Sequence, residues 1–374
     1  MDKMIGGKMA KYKIAWLPGD GIGKDVLDAT RIVLDAVKFD AEYIHGDIGW
    51  EFWKNEGNPL PDRTIEMMKN TDAAMFGAIT SKPEDEAQKE LAPHLQGKGL
   101  KYRSPIVRLR QLFDLYICLR PAKAIPGNPL NFKENIDLII FRENTEDLYF
   151  GAELYPPLPD EFLKIEGLEK IPRDAAVSMK VITPRGSERI IRAAFEYARK
   201  HGRKKVTAVH KANVVRAADG LFLQTAKKIA EEYPDIEFDH ANVDSFCMWV
   251  IKNPERFDVI VAPNLYGDII SDLCTQMVGG LGFAASGNIG DNYAVFEPVH
   301  GSAPKYAGQY KVNPTAAILA AKMMLEWLGE TEKAQKIEKA VHEVIKEGKV
   351  RTYDLGGQNS TLEMAEAIAK KCEI

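Results

Sequence analysis

Short apolar runs alternate with helical stretches along most of this chain, and that rhythm constrains the fold more than any other feature. KIAWL near the N-terminus reads as a strand, PGDGIG as a turn, and KDVLDATRIVLDAVK as the helix that follows. AAMFGAI, LYICL, DLIIF, VTAVH and DVIVAPN repeat the strand signature. Several are continuous apolar runs, as strands buried on both faces require. Strand followed by helix, repeatedly, predicts a largely parallel sheet covered by helices. From NPTAAILAAKMMLEWLG onward the pattern is nearly all helical. One stretch interrupts the rhythm. Residues 151–183 are proline-rich and then alternate apolar with polar, which predicts a protruding loop plus β-hairpin. At 374 residues the chain is too long for one simple core, so two lobes are expected.

Composition narrows the function classes. The formal net charge is −4, with no lysine/arginine tract and no acidic tail, which argues against a nucleic-acid or polybasic partner. Cys118, Cys247, Cys274 and Cys372 are far apart and lack metal-ligand spacing, so a reducing, cytoplasmic setting fits better than a disulfide framework. No apolar run reaches the length of a membrane span. The opening MDKMIGGKMAKYK carries charge without the apolar stretch of a signal peptide and reads as a short extension, in which Met9 could be the functional start.

Several constellations carry chemistry. RLRQLFDLYICLRP and FREN supply Arg108, Arg110, Arg120 and Arg142. Arginines at strand ends pair bidentately with carboxylates, although any one of them alone also suits a solvated surface. In NLYGDIISD, Asp268 and Asp272 are four apart and share one helix face. Such a pair accepts a hard cation, Mg²⁺ or Mn²⁺; equally, two acids in a helix's first turns are favoured by its dipole. Asp244 in NVDSF is a candidate third ligand. Lys211 in VHKAN directly follows an apolar strand, where a lysine is costly unless it snorkels or serves as a base. Tyr149, in RENTEDLYFG at the root of the arm, is a candidate proton donor or a packing aromatic. PGDGIG lacks the spacing of a dinucleotide-binding fingerprint and no P-loop is present, but EPVHGSAPKYAG offers small residues followed by Lys305 and Tyr306, suited to phosphate.

Together these segments resemble the isocitrate/isopropylmalate dehydrogenases, the β-decarboxylating dehydrogenases. The matching stretches are PGDGIG, LRQLFDLYICLRPAK, RENTEDLYFG, HKANV, NLYGDIISD, GGLGFAASGNIGD, FEPVHGSAPKYAG, NPTAAIL and TYDLGG, in the family's order and over almost the whole chain. The resemblance implies a two-domain α/β fold distinct from the Rossmann fold, with a discontinuous large cofactor-binding domain (1–115 and 279–374) and a smaller dimerisation and substrate domain (116–278) bearing the arm. It implies a homodimer whose sites share residues between subunits. Arg110, Arg120 and Arg142 would clamp substrate carboxylates, with Ser104 on a third carboxylate. Asp268 and Asp272, joined by Asp244 of a second subunit, would hold Mg²⁺ or Mn²⁺. Lys211, also from the second subunit, would take the hydroxyl proton and Tyr149 would protonate the enol.

Within the family the chain looks most like an NADP-dependent isocitrate dehydrogenase, on Ser104 and RENTEDLY. Ile106 stands where those enzymes commonly carry asparagine, which keeps homoisocitrate and then 3-isopropylmalate as alternatives. A non-catalytic regulatory subunit is disfavoured, because Tyr149, Lys211, Asp244, Asp268 and Asp272 are all present. For the cofactor, His300, Gly301, Ala303 and Asn313 would line its site. Lys305, Tyr306 and Tyr353 would meet a 2′-phosphate and favour NADP over NAD, although Gly357 replaces an arginine of NADP-dependent relatives.

Overall fold

A computed structural model describes residues 10–373. The chain divides into two compact units, Met1–Ile139 with Ser271–Ile374, and Ile140–Ile270. Among the described residues the strands in chain order are β1 (Tyr12–Gly19), β2 (Ala41–His45), β3 (Ala73–Ala78), β4 (Ile117–Lys123), β5 (Asp137–Glu143), β6 (Glu153–Leu154), β7 (Val177–Ser178), β8 (Lys205–His210), β9 (Glu237–Asn242), β10 (Val259–Ala262), β11 (Ala285–Ile289) and β12 (Ala294–Pro298).

The first unit orders its strands β2-β1-β3-β12-β11-β4. β2, β1, β3 and β12 run parallel to one another, with Ile14 opposite Ala73 and Val295 opposite Ala74. β11 is antiparallel to both β12 and β4. The antiparallel insertion has a local cause: β11 and β12 are joined by a tight turn in which the Gly290 N–H donates to the Tyr293 carbonyl at 2.9 Å. The sheet is therefore mixed, where the sequence rhythm predicts a largely parallel one. The pairing of β4 with β11 also draws residues 117–123 into the first unit, beyond the boundary at 115 expected from the sequence.

Alternation along β1 shows why the sheet needs two covered faces. Ile14 and Trp16 pack with Phe296, Met324, Val341 and Ile368 on one side. Ala15 and Leu17 pack with Phe76, Leu60 and Leu109 on the other. Each large apolar side chain buried this way contributes roughly 1.5–3 kcal/mol. The C-terminal helices Thr315–Trp327, Thr331–Glu347 and Thr361–Cys372 supply the first face, as the helical pattern predicts. The last of them opens with a capping box, Ser360 with Glu363, worth about 1 kcal/mol.

The second unit orders its strands β5-β10-β8-β9, with β10, β8 and β9 parallel. The arm is a short antiparallel pair, β6 with β7, Glu153 opposite Ser178 and Leu154 opposite Val177. Its return strand leads into the helix Pro184–Lys200, whose N-cap Thr183 accepts from the Gly186 N–H at 3.0 Å. Glu146 in turn accepts from the Thr183 N–H at 2.9 Å and from its hydroxyl, locking the arm's exit to the segment where it begins. No helix among the described residues is long and apolar enough to cross a membrane.

Candidate active site

In the second unit, the end of β5 delivers Arg142, 1% exposed, to the side of the helix Asn264–Gln276. Its Nε donates to Asn264 Oδ1 at 2.9 Å and its guanidinium pairs with the Asp268 carboxylate. The approach requires glycine at 267, where a Cβ would lie 2.6 Å from Arg142 Cβ and Cγ. Tyr149 stands on a 3₁₀ turn, Leu148–Phe150, and donates its phenol proton to Asp268 Oδ2 at 2.7 Å. The Arg142 guanidinium lies 4.9 Å from the centre of the Tyr149 ring. Arg142, Tyr149 and Asp268 are thus one connected group. Glu143 shapes the intervening turn by accepting from Thr145 N–H, Thr145 Oγ1 and Glu146 N–H, and burial raises its carboxyl above the usual range.

Lys211 follows β8 as expected. Its backbone N–H donates to Asp219 Oδ2 at 2.7 Å, and its ammonium pairs with Asp244, which it holds below the usual carboxylate range. His210 beside it is buried, with Nδ1 accepting from the Ala212 N–H at 3.0 Å and Nε2 3.2 Å from His240 Nδ1. A ring nitrogen that accepts an N–H carries no proton, so Nε2 is the protonated atom and faces His240. Burial, and then the His240 ring, push its pKa down to about 4.

In the first unit, Arg110 is buried against Asn288 Oδ1 at 2.9 Å and Glu297 Oε1 at 3.5 Å. Arg120 is buried too, and reaches Ser271 Oγ at 2.8 Å and Asp272 Oδ1 at 3.3 Å. The Asp272 side chain remains 57% exposed. Asp268 and Asp272 share one face of their helix, one turn apart, each with an arginine behind it. Asp244, on the helix Val243–Lys252, is not brought to them within this chain, and the described residues contain no cluster of three or more metal-capable side chains. Arg108 serves the fold, donating to Asn58 Oδ1 at 2.7 Å. Ser104 sits at the head of the helix Pro105–Leu112, but its side chain makes no capping hydrogen bond. Ile106, 8% exposed, packs into the core with Leu60, Phe76 and Leu109.

The same unit holds a cavity of about 470 Å³ lined by Ile22, His300, Gly301, Ala303, Val312, Asn313, Tyr353 and Asp354, among others. Ala303 takes a left-handed backbone, φ 35°, to start the turn Pro304–Tyr306. Lys305 lies 4.8 Å over the Tyr306 ring, and the Tyr306 and Tyr353 rings stand 5.7 Å apart. Lys311, which the sequence reading passed over, lies 5.9 Å and 5.5 Å from the centres of those two rings. Its signal was present: a second lysine two positions before Asn313. Asn313 is buried, donating to Asp354 Oδ2 and accepting from the Thr315 N–H, each at 3.0 Å. Gly357 cannot be an arginine in this backbone, since a Cβ there would lie 2.0 Å from the Arg351 carbonyl oxygen.

Comparison with known proteins follows the same lines. A family model described as isocitrate/isopropylmalate dehydrogenase matches residues 13–368. The chain is 43% identical to a 3-isopropylmalate dehydrogenase of Methanothermobacter thermautotrophicus, over 98% of this chain and all of that one. It is 44% identical to a homoisocitrate dehydrogenase of Methanocaldococcus jannaschii, over 95% and 96% of the two chains. Among solved structures it is similar to an isocitrate dehydrogenase from Methylococcus capsulatus, with a TM-score of 0.86, 42% identity, and coverage of 97% of this chain and 100% of that one.

Proposed function

The chain belongs to the isocitrate/isopropylmalate dehydrogenase family, the β-decarboxylating hydroxy-acid dehydrogenases, and on that ground we propose that its substrate is a malate with a carboxylated arm at C3, homoisocitrate first. The observation that carries this choice is the start of the helix Pro105–Leu112. Ser104 keeps its hydroxyl off the helix, and the helix's positive end favours an anion. Ile106, where isocitrate-specific relatives carry asparagine, turns into the core and offers a short arm no polar contact. A longer carboxylated arm needs only Ser104. This moves the reading from isocitrate, favoured by the sequence, to homoisocitrate, in keeping with a relative of that name at 44% identity. 3-Isopropylmalate is the second reading, favoured by a 43% identical relative.

The roles follow from side-chain chemistry. Arg110, Arg120 and Arg142 take carboxylates. Lys211 accepts the proton of the substrate hydroxyl as C2 loses hydride. The C3 carboxyl then leaves as CO₂, and Tyr149 returns a proton to C3. Asp268 and Asp272 fit a divalent cation: two hard oxygen donors one turn apart, with Asp272 largely open to incoming oxygens. Asp244 of a second copy would complete the set in a homodimer. When bound, the cation supplies a Lewis acid and the nicotinamide a hydride acceptor. NADP suits the cavity better than NAD. Lys305 and Lys311 are exposed beside Tyr306 and Tyr353, and neither makes an ion pair among the described residues. A regulatory subunit would bind nucleotide without turnover on any of the three acids.

The test is kcat/KM across homoisocitrate, isocitrate and 3-isopropylmalate with both cofactors, repeated on Ser104→Asp. Homoisocitrate should lead, and the added anion should repel its arm while sparing 3-isopropylmalate. A lead for 3-isopropylmalate in the unmodified enzyme overturns the choice.

A further inference from the structure

We propose that Lys180 is a positioning residue whose single buried ammonium holds the Tyr149 turn and the Lys211 turn in place together. The inference rests on the reading that Tyr149 and Lys211 are the proton-transfer groups. All of its parts lie in the second unit.

Lys180 comes just after β7, on the chain returning from the arm, and its side chain is 14% exposed. Its Nζ lies 2.6 Å from Asp219 Oδ1, 3.6 Å from Asp147 Oδ1, and 3.9 Å over the Tyr266 ring. Both carboxylates are fully buried. Among the described residues, Lys180 is the one cation within ion-pair distance of either.

Each acid also accepts a hydrogen bond from a turn that carries a proposed proton-transfer side chain. Asp147 Oδ1 accepts from the Leu148 N–H at 2.8 Å and so caps the 3₁₀ turn bearing Tyr149, while Oδ2 accepts from the Leu265 N–H at 2.9 Å. Asp147 holds a left-handed φ of 69° to do this, and its own N–H donates to the Val181 carbonyl at 2.7 Å, next to Lys180. Asp219 Oδ2 accepts from the Lys211 N–H at 2.7 Å, fixing where the Lys211 side chain leaves the backbone.

Two buried carboxylates that share one cation are only partly neutralised, and a neutral side chain at that position would leave both charges buried without any cation. Without the ammonium, each acid must take up a proton or move toward water. Either response loosens the turn it holds. Proton transfer is sensitive to such shifts, since a displacement of about 1 Å can cost about 100-fold in rate. Lys180 therefore acts through Asp147 and Asp219 and does not touch the reacting atoms.

The experiment compares Lys180→Met, near in length but uncharged, with the double variant Lys180→Met plus Asp219→Asn. Reduction of the supplied 2-keto acid reports on Lys211, and decarboxylation with proton return reports on Tyr149. Lys180→Met should slow both partial reactions at least tenfold, with KM within about threefold. In the double variant the amide oxygen still accepts from Lys211 N–H without a buried charge. Keto-acid reduction should recover there while the Tyr149 step stays slow. Partial rates within twofold of the parent in Lys180→Met overturn the proposal. So does an equal response of both steps to the double variant, or failure of both variants to fold, since Lys180 would then serve the fold as a whole. Tyr149→Phe and Lys211→Met run in parallel separate the two layers. If they spare their assigned steps, the catalytic reading fails; if they behave as assigned and Lys180→Met is silent, only this inference fails.

Discussion

The lysines of the first unit's cavity and those beside the proposed catalytic turns of the second unit live in opposite surroundings. Lys305 and Lys311 are exposed and rest on the faces of Tyr306 and Tyr353, 4.8 to 5.9 Å from the ring centres. Lys180 and Lys211 are bonded to carboxylates, Asp147 and Asp219 for one, Asp244 for the other. A cation on an aromatic face gains about 0.5–1 kcal/mol at an exposed site and keeps its main electrostatic demand unmet. It can take an incoming phosphate without first giving up an acid. A lysine already paired with a carboxylate is held in place, and its role is set by what that carboxylate also holds. Of these four lysines, the two without an acid are open to an incoming anion and the two with an acid are held in place.

The most damaging challenge to the acid-paired side is Lys211→Met. Loss of the group assigned to take the hydroxyl proton should lower kcat by roughly 10²–10⁴-fold, and should impair keto-acid reduction as well. Tyr149→Phe should slow full turnover comparably while largely sparing that reduction. Identical profiles for the two variants would erase the division of labour between the turns.

Next in size is the acid itself. Asp268→Asn keeps the shape but removes the charge facing Arg142 and the Tyr149 phenol, and should weaken Mn²⁺ binding about tenfold or more. Calorimetric titration with Mn²⁺ reads this directly, and an unchanged affinity would remove Asp268 from the ligand set.

On the acid-free side, Lys305→Ala with Lys311→Ala should raise the KM for NADP by roughly 10–100-fold, the value of one or two charge-assisted hydrogen bonds, and leave NAD unaffected. Steady-state kinetics with both cofactors decide it. An unmodified enzyme that already prefers NAD would mean these cations serve some other purpose.

The smallest effect concerns a third case, a buried base that bonds no carboxylate. His210 is bonded to the Ala212 N–H and His240, and its pKa is depressed to about 4. A histidine depressed in the folded state binds fewer protons there than when unfolded. Its contribution is therefore complete above about pH 6.5 and is lost as pH falls toward 4, on the order of 1–3 kcal/mol. Thermal unfolding between pH 7 and 4 should show this slope, and His210→Asn should flatten it. A slope unchanged by the substitution would assign the acid sensitivity to other groups.

Much of this was legible in the sequence because it is local. Strand runs, the turn after β1, the C-terminal helices, the hairpin of the arm, Lys211 at the end of β8, and the four-residue spacing of Asp268 and Asp272 all lie within short windows. Two edge strands, β2 and β9, escaped because their residues are largely half-buried or exposed and give no apolar run. The antiparallel hairpin of β11 and β12 escaped because its turn lies inside glycine-rich segments that read as loop. The family resemblance casts Arg110 as a substrate clamp, yet its own segment gave no sign of Glu297, its carboxylate partner 187 residues away. Lys180, Asp147 and Asp219 gave no local signal at all. Each is an ordinary charged residue until the fold brings the three together.

The place of β12, between β3 and β11, also sets an order of events while the chain is being made. β3 ends at Ala78, and its neighbour β12 begins at Ala294, about 200 residues later. At 5–20 residues per second, the ribosome leaves that edge of β3 waiting roughly 10–40 s. The contiguous second unit is complete before its partner strand emerges. An exposed parallel edge is a template for unwanted pairing, and closing it demands contacts of high sequence separation, which form slowly. Nascent chains stalled before residue 294 should therefore carry a protected second unit and a first unit still open to proteolysis and to chaperones.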